Sequence, residues 1–278
     1  MRAVGARAVA VEPLEAGWSL LRAFFSEGHP ALERALEALR AAEGRVRASG
    51  DPARLTLWLL GISTALRYTR RPEPMETALE RARELVNVVA RAQGDAATIP
   101  YRTLVEATYR DLADVVPARA DAALAAGLAF SDRTMRLARR IRRDEYLAAA
   151  SASRGDLIVR HDPGDRRAVR RAVALHEEAR RRWPPRDPCG RAVAGVGYAG
   201  ALLAAREAAR AELVARDALA VFRQQGDRYH EAAAHLVLAR ALLRQDRPEA
   251  LDEQAAAADL FRALGCRWEL RRAEGALG

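Results

Sequence analysis

An alanine followed four residues later by a large apolar side chain recurs at Ala179/Trp183, Ala218/Phe222 and Ala257/Phe261, each pair 39 residues from the next. A second register precedes it. The pairs Ala38/Ala42, Ala82/Val86 and Ala126/Phe130 recur every 44 residues, and Gly50-Asp51 returns as Gly94-Asp95 at the same offset. Self-similarity at a fixed period of this length marks an array of supersecondary units, none of which can bury its apolar face alone. The chain is therefore read as a single helical-repeat domain over residues 1–278. Between Ala126 and Ala179 the gap widens to 53 residues, so an irregular junction is expected over 142–164, between repeats of period 44 (13–141) and repeats of period 39 (165–265). Residues 1–12 are expected to be flexible and 266–278 to form a capping helix.

Each unit reads as two helices, because apolar residues recur at helical spacing and are punctuated by Gly, Pro and Asp. In the last unit Leu236, Leu238 and Leu242 form one stripe, Pro248 restarts the chain, Leu251, Ala257, Leu260, Phe261 and Leu264 form the next, and Gly265 ends it. Similar pairs begin at Pro13, Pro52, Ile99, Glu145 and Arg191, giving about six hairpins. Composition agrees: 63 of 278 residues are Ala and 5% are aromatic, which favours helices and excludes an all-β fold. Small residues suit helices that approach closely, with Trp183, Phe222 and Phe261 expected in the core between hairpins.

With its A-x-x-x-F element in the second helix and small residues in the first, the chain resembles the tetratricopeptide-repeat family. The likeness is clearest from Asp165 onward. Its period is longer than the family's usual length of about 34 residues, and Leu60-Gly61 is the nearest piece of the family's first-helix signature. Long-period arrays of this kind are similar to those of high-GC bacterial signalling proteins. The resemblance implies a right-handed α-solenoid acting as an interaction or regulatory module. In that family the first helices line the concave groove, which nominates Arg102, Glu106, Arg110, Ser151, Arg154, Arg240 and Arg244 as partner contacts.

Several chemistries lack a residue basis. All 46 basic residues are Arg, so no Schiff-base or Walker lysine exists. Gly195-Val-Gly197-Tyr-Ala-Gly200 matches a dinucleotide-binding spacing, but no strand can precede it, and its glycines read as helix-packing positions. His230 and His235 sit about 140° apart on a helix, unlike an i, i+4 metal pair. No cofactor or metal is called for. Cys189 and Cys266 are 77 residues apart, without a CxxC, and read as reduced thiols. No stretch reaches a membrane span or a signal-peptide core, so a cytoplasmic protein without a membrane partner is expected.

Charge is the more informative signal. The net charge of +9 is concentrated in residues 117–186, which carry 17 Arg against 9 acids, while the flanking thirds are close to balance. Arg136, Arg139, Arg140 and Arg143 recur at helical spacing there, and Arg166, Arg167, Arg170 and Arg171 follow. Guanidinium forks match carboxylate and phosphate geometry, so an acidic protein or peptide is the expected partner. A nucleic-acid backbone fits less well, because only Phe130 and Tyr146 are nearby for stacking. An enzyme or small-molecule sensor using the solenoid cavity stays open as the alternative. So does a homodimer through the Arg-rich middle or an uncovered end hairpin.

Overall fold

The computed structural model describes residues 13–275. The segment 1–12, expected to be flexible, lies outside the described residues, as do the last three of the expected capping helix. Six consecutive helix pairs follow one another. They are α1 (Pro13–Glu27) with α2 (His29–Ser49), α3 (Pro52–Tyr68) with α4 (Pro72–Gln93), α5 (Ile99–Val115) with α6 (Ala120–Ile141), and α7 (Asp144–His161) with α8 (Arg166–Arg182). The remaining two are α9 (Pro188–Ala204) with α10 (Ala208–Gln225) and α11 (Arg228–Leu243) with α12 (Ala250–Ala263), after which α13 (Arg267–Glu274) ends the array. No strand occurs among the described residues. The protein is an all-α solenoid of stacked hairpins, as the repeats require.

Local chemistry starts and stops these helices. Asp51, Asp165, Asp187 and Asp227 each accept a backbone N–H of the first turn of α3, α8, α9 and α11 with a side-chain oxygen, satisfying donors that helix geometry leaves unpaired. Proline stands in the first turn of α2, α3, α4, α5 and α9. The helix α7 runs unbroken through the segment expected to be an irregular junction. The widened spacing has another cause: Ala126 lies in the first third of α6, whereas Ala179 lies in the last turn of α8, so the two registers mark different heights on their helices.

The array closes on itself. First helices touch in the order α1, α3, α5, α7, α9 and α11, and α11 returns to α1; second helices pack on their own hairpin partners and form an outer layer. The scarce aromatic residues gather at the seam. Phe24 lies 5.0 Å from Tyr68 and 5.3 Å from Tyr229, Tyr68 lies 5.2 Å from Tyr229, and His230 stacks on Phe25, so rings from α1, α3 and α11 interlock. One core cluster accordingly joins α1–α4 with α11, α12 and α13. Between α1 and α2, the His29 N–H donates to the Leu264 carbonyl at 2.7 Å. Gly28 makes that approach feasible: its φ of +84° favours glycine, and a Cβ there would stand 2.1 Å from the Leu264 oxygen.

Three expectations change, the first two through closure. The end hairpins cover each other, so neither presents the bare apolar face on which the end-hairpin homodimer was reasoned. The helix α13 does more than cap α12, because its Glu269 and Arg272 reach α3 and α5. Phe222 and Phe261 are buried as expected, but Trp183 follows the end of α8 and is only partly buried, its indole N–H donating to Asp187.

Candidate functional site

Where α3, α5, α7, α11 and α13 come together, one mouth of the ring is built of charge. Arg70 follows α3 with a left-handed φ of +52° and is held from several sides. Its Nη1 lies 2.7 Å from Asp111 of α5, its Nε 2.9 Å from Glu269 of α13, and its Nη2 donates to the Tyr229 hydroxyl of α11. Tyr229 in turn donates to Glu269 at 2.9 Å. Arg110 continues the chain, 3.1 Å from Asp111 and 2.6 Å from Asp156 of α7, whose other oxygen is 3.4 Å from His176 of α8. Gly197 of α9 makes room for this last pair, since a Cβ there would lie 2.3 Å from the Asp156 oxygen. Of the glycine-rich run, Gly197 packs against the network and Gly195 against Val214 and Ala218 of α10, while Gly200 has open space around it.

Burial opposes ionisation of Asp111, yet Arg70, Arg110 and Arg67 outweigh it and hold the carboxyl well below the usual range. Asp156 is lowered against its own burial by His176 and Arg110. Beside this balanced network lies an unbalanced one. Arg160 of α7 donates to Asp114 of α5, Arg272 of α13 is 3.6 Å from the same carboxylate, and Arg240 of α11 shares its field. Desolvation, then the charges of Arg272 and Arg160, lower the proton affinity of Arg240. Asp114, Trp268, Arg271 and Arg272 line a cavity of about 340 Å³ at this point. Trp268 carries guanidinium groups on its ring, Arg272 at 4.8 Å and Arg70 at 5.2 Å from the centroid.

The nominated groove residues fall in separate places. Arg110 and Arg240 belong to the mouth. Glu106 is fully buried among α5, α6 and α7, and neither of its oxygens has a well-formed hydrogen bond. Desolvation pushes its carboxyl up to about 7 against the hydroxyls of Ser153, Thr134 and Ser131 and the charge of Arg154. Ser151 is buried, and Arg154 reaches out to Asp132 at 2.7 Å. Arg102 donates to Thr98 and covers the ring of Phe130, while Arg244 ends α11 in solvent. The seven residues thus differ in burial and partners, from the fully buried Glu106 and Ser151 to the exposed Arg244.

Arg136, Arg139 and Arg140 stand exposed on α6 in the outer layer. Arg143 instead pairs with Glu145 and covers Tyr146, so it belongs to the start of α7. Arg67, Arg70, Asp111, Asp114, Asp156, Arg160, Tyr229, Trp268, Glu269 and Arg272 escaped the sequence reading. Charged residues near the C-terminal end of each first helix, as in Arg67/Arg70 and Arg110/Asp114, were the available signal. Elsewhere His235 is bonded to Glu253 at 2.5 Å, and the described residues hold no cluster of three or more His, Cys, Asp or Glu suited to a metal ion. No described helix is long and apolar enough to cross a membrane. Compared with protein-family models and with curated proteins, the chain matches none.

Proposed function

We propose that the protein is a non-catalytic recognition module that binds an acidic segment of a partner protein across the outer faces of α6 and α8. One observation carries this reading. Arg136, Arg139 and Arg140 on α6 and Arg166, Arg167, Arg170 and Arg171 on α8 are exposed, and among the described residues none of their guanidinium groups has a carboxylate partner. Elsewhere on the surface Arg side chains are commonly tied to acids, as in Arg47 with Glu43 and Glu84 or Arg210 with Glu177 and Glu207. The two groups stand at opposite ends of α7, the first in the last turns of α6 and the second in the first turns of α8, so they form two basic patches that an extended acidic segment can span.

An acidic peptide suits that face better than a nucleic acid. Guanidinium groups already cover both local rings, Phe130 under Arg102 and Arg133 and Tyr146 under Arg143, which leaves no free platform for base stacking. The repeat pattern and its resemblance to tetratricopeptide arrays support an interaction role, and two free cysteines suit a reducing cytoplasm.

The test is fluorescence anisotropy with a labelled Glu-rich peptide and a labelled DNA duplex of equal charge, against the wild type and a variant with all seven Arg changed to Gln. The peptide should bind the wild type and lose at least about tenfold in affinity with the variant. Equal peptide binding by both proteins refutes the surface. Tighter binding to the duplex, falling steeply with salt, refutes the protein-partner reading.

A further inference from the structure

The mouth of the ring holds an independent site that uses neither α6 nor α8. Its charges divide into two groups. Arg67, Arg70 and Arg110 face Asp111, Asp156 and Glu269, three against three. Arg160 and Arg272 share Asp114 as their ion-pair partner, with Arg240 in the same field and Arg271 on the cavity wall. The positive excess is therefore local, and it borders the 340 Å³ cavity. Among the described residues Arg240 makes no ion pair, although it is half-buried beside two other guanidinium groups. Its place at the end of α11, like that of Arg160 at the end of α7, sets both against the negative ends of helix dipoles, which offsets only part of the mutual repulsion.

We propose that this mouth binds a small phosphate monoester, with its dianionic phosphate among Arg160, Arg240 and Arg272 and its organic part in the adjoining cavity that Trp268 and Arg271 help to line. Three guanidinium groups projecting from three helices suit a tetrahedral oxyanion, which offers oxygens in several directions. A carboxylate is planar and occupies one fork, the role Asp114 already fills. The cavity volume lies at the lower end of the range for small-molecule sites. Asp114 competes with the ligand for Arg160 and Arg272, so the site releases one anion as it takes up another. Lowered proton affinity at Arg160 and Arg240 agrees with an excess of cations that an anion relieves.

Isothermal titration calorimetry on the full chain, with inorganic phosphate, phenyl phosphate and acetate as probes, tests the site. Phosphate and phenyl phosphate should bind, phenyl phosphate more tightly, and acetate should bind at least about tenfold more weakly than phosphate. Arg240→Gln should weaken phosphate binding at least about tenfold, and Asp114→Asn should tighten it, a gain that no folding defect can imitate. Arg171→Gln on the outer face should leave it unchanged. Acetate binding as tight as phosphate overturns the ligand class. Phosphate binding that is absent in the wild type, unchanged by Arg240→Gln, or weakened by Asp114→Asn overturns the site.

Discussion

Replacing Glu106 by Gln isolates the energetic consequence of one buried carboxyl. Its side chain is fully buried, and desolvation moves its pKa from the ordinary 4.5 to about 7. At about 1.4 kcal/mol per pKa unit, ionising it in the folded protein costs about 3.5 kcal/mol. The sign follows from the raised value: the folded state holds the proton more tightly than the unfolded chain. Stability from this group is complete below about pH 4.5 and is lost as pH rises through 7. Gln has nearly the same shape and no charge at any pH, so Glu106→Gln should gain on the wild type by about 2.5 kcal/mol between pH 5 and pH 8. For a chain of this size that corresponds to a relative rise in the thermal midpoint of about 4 °C. Unfolding followed by circular dichroism at 222 nm, on both proteins at both pH values, reads the difference directly. Other titrating groups are common to the two proteins and cancel. A gap between variant and wild type that is the same at pH 5 and pH 8 would refute the reasoning.

The other consequences concern the ion network, the seam and the core. Asp111→Asn leaves Arg70, Arg110 and Arg67 without their shared carboxylate and should cost about 3–5 kcal/mol at pH 7 by urea denaturation. Because the folded pKa of Asp111 is lowered, that contribution is present above its ordinary value near 3.8 and is lost as pH falls further, so wild type and variant should converge in acid. Gly28→Ala combines a left-handed backbone with a clash against Leu264, and its thermal midpoint should fall; a Gly50→Ala control, also left-handed but with open space around it, should fall less. Phe222→Ala should cost about 3–5 kcal/mol, while the partly buried Trp183→Ala should cost clearly less, as compared by equilibrium unfolding.

Much of the fold was legible because hairpin packing writes itself as a period. Ala218/Phe222 and Ala257/Phe261 are buried contacts, and the Pro, Asp and Gly punctuation marks real helix ends. Closure was not legible, because it depends on curvature accumulated over six hairpins, and no local pattern encodes that sum. Phe24, Tyr68 and Tyr229 gave no sign of meeting across 205 residues of sequence. The same limit applies to the mouth. Arg110 and Arg240 were nominated from helix position, but Glu269 and Arg272 lie on a terminal helix whose inward turn depends on closure. Arg136, Arg139 and Arg140 were legible from spacing because exposed charge on one helix needs no tertiary knowledge. Arg143, one turn later, left that surface because α6 ends at Ile141 and the chain reverses.

Closure of the ring is the claim on which the mouth, its network and the role of α13 all depend. A single amide reports it. The His29 N–H stands at the start of α2, where a helix supplies no partner of its own, and it donates to Leu264 only if the two ends of the array meet. Residue-resolved hydrogen exchange on the intact protein should find this amide slowed at least about 100-fold relative to the free chain. Exchange of His29 at the free-chain rate, with the interior of α2 still protected, would mean that the array is open.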